Sequence, residues 1–213
     1  MQLALRDLLP TYFNESAAQT SGVWGKDLLL EKGEFVKIVA PSGSGKSSLI
    51  SFLYGMRKDY NGTITYSDKN FNQFSIEELA KHRKDHVSIV FQDMKLFAEQ
   101  TVLHNLEVKR QLNPYHSAED IKDMATMLGI GDKLEYKCKT CSYGEQQRIA
   151  IIRALMQPFD LLLLDEPFSH LDNKNSERAM KLILEETVSR NASIIFVDLE
   201  RSDIFPFTQL YHL

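Results

Sequence analysis

The run Ala40-Pro-Ser-Gly-Ser-Gly-Lys-Ser47 constrains this chain more than any other feature. It follows residues 35–40, a short, β-branched and apolar stretch that reads as a buried strand. It opens residues 46–54, which read as a helix. The run matches G-x-x-x-x-G-K-[ST] everywhere except at its first position, here Ala40. Glycines let backbone amides curl around an anion, and the start of a helix adds the positive end of its dipole. Ser42, Gly43, Ser44, Gly45 and Ser48 are therefore expected around bound phosphates. Lys46 is placed to reach the β- and γ-phosphates, and the Ser47 hydroxyl to ligate Mg²⁺. Alanine at position 40 costs about 1–2 kcal/mol if the backbone there needs a positive φ.

A second apolar run, Leu161-Leu-Leu-Leu, ends in Asp165-Glu166-Pro167. A buried strand ending in two acids places them at the carboxyl edge of its sheet, where the phosphate loop also sits. Asp165 is then expected to hold Mg²⁺, directly or through water. Glu166 is expected to orient or deprotonate an attacking water.

The rest of the chain alternates strands with helices, which argues for an α/β fold with a mainly parallel sheet covered on both faces. Asn61-Gly62 predicts a turn before a strand over 63–66. Ser75 with Glu78, and Ser142 with Glu145, have the spacing of capping boxes that open helices. Residues 86–91 read as a strand, and 101–128 as helical with Gly129 as the stop. The second capping box starts a helix to Gln157, and 173–189 read as another. Residues 194–197 and 209–213 are the last strand candidates. Residues 74–147, rich in helix, are expected as a lobe inserted in one domain spanning 1–213.

Composition excludes several classes. Apolar residues make up 43% and charged residues 25% of 213, an ordinary globular balance. Net charge is −4 and no Lys/Arg block stands out, so nucleic acid is not an expected partner. The longest apolar runs, 28–30, 149–152 and 161–164, fall far short of the ~20 residues of a membrane span. The N-terminus lacks a basic segment followed by a long apolar one, so a cytosolic chain is expected. Two cysteines, Cys138 and Cys141, are too few for a disulfide framework, and one C-x-x-C pair is a weak metal signal.

Together these pieces resemble the nucleotide-binding subunit of ATP-binding cassette (ABC) proteins, in order and over nearly the whole chain. Phe91-Gln92-Asp93 is similar to that family's Q-loop, Cys141-Ser-Tyr-Gly-Glu-Gln-Gln-Arg148 to its signature, and Ser169-His-Leu-Asp172 to its D-loop. The resemblance implies a P-loop NTPase cassette with an N-terminal antiparallel β portion. It implies ATP and Mg²⁺ as ligands, Gln92 as a further metal contact, and Glu166, Gln92 and Lys46 as the catalytic set. Tyr12 or Phe13 would stack on adenine. Two subunits would close head to tail, so that Ser142, Gly144 and Glu145 of one face the γ-phosphate held by the other. A second copy of the chain is expected ahead of a homologue.

An integral membrane permease, supplied as a separate protein, would hold the dimer at the cytoplasmic face of the inner (plasma) membrane. Within the family, the chain looks like the compact lipoprotein-release, macrolide-export and cell-division ATPases. It departs from the pattern at the signature, where Cys141, Tyr143 and Glu145 replace leucine, glycine and glutamine, and at the switch histidine. Asp198-Leu199-Glu200 puts Leu199 where that histidine belongs. The expected function is an ATPase subunit with slow turnover; the alternative is a nucleotide-gated scaffold or switch. A soluble cassette of DNA repair or translation fits less well, because the chain carries neither a long coiled-coil insertion nor a second cassette.

Overall fold

The computed structural model describes residues 2–13, 15–199 and 206–213. Glu200, the last residue of the switch segment named above, lies outside them. In chain order the elements are β1 (Leu3–Pro10), α1 (Glu15–Thr20), β2 (Leu28–Leu30), β3 (Phe35–Val39), α2 (Lys46–Leu53), β4 (Tyr60–Tyr66), β5 (Lys69–Asn70), α3 (Ile76–Asp85), β6 (Val87–Val90), α4 (Val102–Leu112), α5 (Ala118–Met127), α6 (Tyr143–Leu155), β7 (Leu161–Asp165), α7 (Asn173–Ser189), β8 (Ser193–Asp198) and β9 (Gln209–His212). Two sheets result: an antiparallel one ordered β2-β1-β4-β5, and a parallel one ordered β6-β7-β8-β3-β9.

Strands β3, β6, β7 and β8 of the parallel sheet are buried on both faces, which is why they lack polar alternation, whereas the edge strand β9 alternates between half-buried and exposed residues. Leu161 and Leu163 of β7 pack with Val36, Ile38, Leu49 and Phe52, towards α2. Leu162 and Leu164 point the other way, towards Ile149 and Ile152 of α6 and Leu106 of α4. Each such leucine contributes roughly 1.5–3 kcal/mol by leaving water. Within residues 74–147, β6 is a strand of the parallel sheet, paired with β7, and the helices α3, α4 and α5 flank it in sequence.

Two expectations need correcting. Asn61 and Gly62 make no hairpin turn. They lie inside β4, because pairing with β1 already begins at Pro10↔Tyr60 and Leu9↔Asn61. The local irregularity is instead a register shift between Arg6 and Leu9, with Asp7 at φ 48°. Residues 101–128 are two helices rather than one. Pro114 disfavours helical backbone at the residue before it, and Asn113 turns out to φ −155°. A third capping box, Ser117 with Asp120, then starts α5. The boxes at Ser75 and Ser142 both form as the spacing predicts.

Candidate functional site

The carboxyl ends of β6, β7, β8 and β3 converge on one edge of the sheet. Val39 pairs with Asp198, and Asp165 with Val197. The phosphate loop, Asp165-Glu166, Leu199 and Gln92 thus leave neighbouring strands side by side. Ala40 is buried, donates its amide to the Asp198 carbonyl at 2.8 Å, and is not among the described residues with positive φ. Its departure from glycine therefore carries no backbone strain. Gly45, by contrast, caps α2 at φ 95°, a left-handed conformation that a side chain would resist. It brings no capping side chain of its own, which leaves the first amides of α2 facing the loop.

Aromatic residues brace the loop from below. The indole N–H of Trp24 donates to the Ser44 carbonyl at 2.9 Å, and Phe13 packs edge-on to Trp24, with ring centroids 5.9 Å apart. A methyl group added at Gly45 would come 2.9 Å from Phe13 Cζ. Tyr12 is half exposed, its hydroxyl hydrogen-bonded to Ser48 Oγ. Phe13 therefore serves the loop, while the half-exposed Tyr12 ring carries the Arg57 guanidinium 5.3 Å from its centroid. Ser42, Gly43 and Ser47 are exposed; Ser48 is buried.

Lys46 lies almost buried and forms an ion pair with Glu166, whose other carboxylate oxygen accepts from Gln92 Nε2 at 3.0 Å. Burial lowers the Lys46 pKa, while Asp165 and Asp198 oppose that shift. Asp165 is 5% exposed, and its Oδ1 has no hydrogen-bond donor. Burial pushes its pKa up to about 6, with Lys46 pulling it down and Asp93 adding a smaller push upward. Ser47, Gln92 and Asp165 line one cavity of about 320 Å³. Glu166 itself has φ 46°, a strained backbone for a side-chain-bearing residue.

Ser142, Gly144 and Glu145 stand at the N-terminus of α6. Ser142 Oγ accepts from the Glu145 amide at 3.3 Å, and Glu145 Oε2 accepts from the Ser142 amide at 2.7 Å. Tyr143 is 70% exposed, and its ring lies 5.4 Å from that of His170. Gly144 is required by close approach: a Cβ there would lie 2.9 Å from the His170 carbonyl oxygen. Leu199 is 45% exposed, with its amide bonded to its neighbour's Asp198 Oδ1 at 2.7 Å. Cys138 and Cys141 are both buried free thiols. Asn105 Nδ2 donates to Cys138 Sγ at 3.2 Å.

The sequence profile described as ABC transporter matches residues 25–169. The chain belongs to the ABC transporter family. It is 34% identical over 202 residues to the macrolide export ATP-binding/permease protein MacB of Shewanella sp. (strain W3-18-1), covering 92% of this chain and 31% of that protein. The MacB protein of Bartonella quintana (strain Toulouse) is also 34% identical, over 85% of this chain and 28% of its own. The chain thus spans about a third of the length of these relatives. Its fold matches a dimeric structure of MJ0796, described as a bacterial ABC transporter cassette, with a TM-score of 0.80 at 27% identity. That match covers 93% of this chain and 88% of the other. A second MJ0796 structure, a dimer described as a post-hydrolysis state bound to ADP and Pi, matches with a TM-score of 0.78. The fold and the family are those the motifs imply.

Sequence reasoning missed two residues of this cassette's site. One is Trp24, the chain's single tryptophan, which supports the loop. The other is Gln147, whose side chain bonds to the backbone of Glu166. Trp24 belongs to no local pattern, and although Gln147 lies within the signature-like run, that pattern gives it no task of its own; each acts on a partner about 20 residues away in sequence. The lone tryptophan was the one available signal for the first.

Proposed function

We propose that this cassette closes as a dimer around two ATP molecules and drives a membrane-embedded partner, with slow hydrolysis. The observation that carries the reading is the joining of Lys46, Glu166 and Gln92 beside the phosphate loop at one sheet edge. The residues fit Mg²⁺: a buried carboxylate oxygen of Asp165 without a donor shares a cavity with the Ser47 hydroxyl and Gln92. Such hard oxygen ligands suit that ion, which when bound supplies charge to the β- and γ-phosphates. Lys46 binds those phosphates, the loop amides cradle them, and the half-exposed Tyr12 ring is the one offered to adenine. Glu166 accepts the proton of the attacking water, with Gln92 holding its carboxylate in place. The capped start of α6 presents Ser142 and the amides of Tyr143 and Gly144 to the partner subunit's γ-phosphate.

Among the described residues no helix is long and apolar enough to cross a membrane. The relatives' names support membrane attachment through a permease partner, which we take to be a separate protein. The MacB proteins are named as ATP-binding/permease proteins, and a second copy of this chain is the expected dimer partner.

The exposed Tyr143 and Leu199 support the second reading, a nucleotide-gated switch. Leucine cannot donate to the γ-phosphate, and loss of one such donor costs on the order of 10²–10³ in rate. In a homodimer every site carries both departures. Steady-state phosphate release from the purified homodimer is expected well below the ~1–10² s⁻¹ of well-positioned phosphoryl transfer. Glu166→Gln should remove nearly all of what remains, leaving a rate visible only in single-turnover measurement, and Leu199→His should raise the parent rate. A parent rate of tens per second would refute the claim that these two residues impair the site. A rate untouched by Glu166→Gln would refute the assigned base.

A further inference from the structure

We infer that Gln147 is a positioning residue for Glu166, through which the signature end of α6 sets the place of the catalytic base. The inference rests on the role proposed for Glu166 above. Gln147 is 1% exposed, and both ends of its amide are engaged. Nε2 donates to the Glu166 carbonyl at 3.0 Å and to Ser169 Oγ at 3.2 Å. Oε1 accepts from the His170 amide at 2.8 Å. One side chain of α6 thus grips the backbone on both sides of Phe168.

The grip matters because of how Glu166 is held. Its positive φ is a conformation that persists only where the surroundings over-determine it. Its amide is tied to the Val197 carbonyl at 2.9 Å, which fixes one side. Its carbonyl accepts from Gln147 Nε2 and from Ser169, whose amide lies at 3.3 Å and whose hydroxyl lies at 3.2 Å. The Ser169 bonds are local and move with the turn. The Gln147 bond is the one that reaches the Glu166 carbonyl from another element, and the N-cap of that element, Ser142, lies five residues earlier. Gly144 and the His170 carbonyl make close contact along the same helix end. A shift of the α6 N-terminus against a phosphate therefore carries Gln147 with it, and with Gln147 the Glu166 backbone. A buried amide with its donors and acceptor all used transmits displacement because breaking any of these bonds leaves a polar atom unpaired.

Gln147→Glu keeps the shape and an acceptor for His170 but loses both donors. Gln147→Leu loses all three bonds. For each we expect kcat to fall at least tenfold while ATP affinity stays within twofold of the parent, because the phosphate loop is untouched. The deciding measurement combines each change with Glu166→Gln. A residue acting through the base adds nothing to the loss already caused by Glu166→Gln, whereas general loosening of the site multiplies it. Single-turnover phosphate release, with enzyme in excess over ATP, reads those low rates.

A parent-like kcat in both single variants overturns the inference. So does a parallel loss of ATP affinity or of the thermal transition in both, which assigns Gln147 to holding the fold. Multiplicative losses in the double variants overturn it as well. If Glu166→Gln alone leaves the rate unchanged, the base assignment has failed, and the inference fails with it for a separately visible reason.

Discussion

At the scale of single residues, two side chains make sharply different claims. Lys46→Ala removes the charge assigned to the β- and γ-phosphates and should weaken ATP binding by at least ~1.5 kcal/mol, about tenfold. Calorimetry giving equal affinity for variant and parent would remove the loop from the site. His82 lies outside the site and is 6% exposed, its Nε2 without a hydrogen-bond partner. It packs among the rings of Tyr66, Phe71 and Phe74. Burial is the main cause that lowers its pKa from 6.5 to about 4, with a smaller push from His86. Between those two values the unfolded chain binds more protons than the folded one, so stability rises with pH there. The His82 share should be complete above about pH 6.5 and fall, by on the order of 2 kcal/mol, as pH drops towards 4, while the raised pKa of Asp165 pushes the other way below about pH 6, so the reading lies in the difference between parent and variant. Urea midpoints at pH 7.5 and pH 5 test this, and His82→Phe should flatten the difference. An equal acid loss in that variant would place the titrating group elsewhere.

At the scale of elements, the start of α6 and the start of α5 form a natural pair for comparison. Both are closed capping boxes, Ser142 with Glu145 and Ser117 with Asp120. Ser142→Ala and Ser117→Ala should therefore lose similar stability, about 1 kcal/mol each. Only Ser142→Ala should also lower phosphate release, since that helix end alone is assigned to the partner's nucleotide. Equal activity in the two variants would reduce the signature serine to a cap. These elements also mark how far the sequence is readable. The boxes at Ser75 and Ser142 carry glutamate at the third helical position and stand out. The box at Ser117 uses Asp120 and sits inside a stretch whose helical pattern reads as continuous until Pro114 is given its backbone cost. Asn61-Gly62 misleads because Tyr60 and Asn61 are already paired with β1, so the dipeptide lies within β4 rather than between two strands. The phosphate loop and the Asp165-Glu166 pair are legible because local strand and helix patterns frame them. Trp24 and Gln147 are not, because their meaning comes from tertiary partners.

At the scale of the whole molecule, the parallel sheet gathers four strand ends, and the gathering has a cost for the ligand. The lysine that ATP needs is already held by Glu166. ATP therefore enters as a competitor for an occupied cation, and its measured affinity is its intrinsic affinity reduced by the work of displacing the carboxylate. Glu166→Gln, which leaves the shape but removes that rival anion, should tighten ATP binding by roughly three- to tenfold in calorimetry. Weaker or unchanged binding would mean that the pair does not oppose the nucleotide. The exchange also orders events in time. On the proposed role of Glu166, the arrival of the nucleotide would release the base that acts on it, so an unloaded cassette keeps its carboxylate engaged and a loaded one would be armed by its own cargo of phosphate.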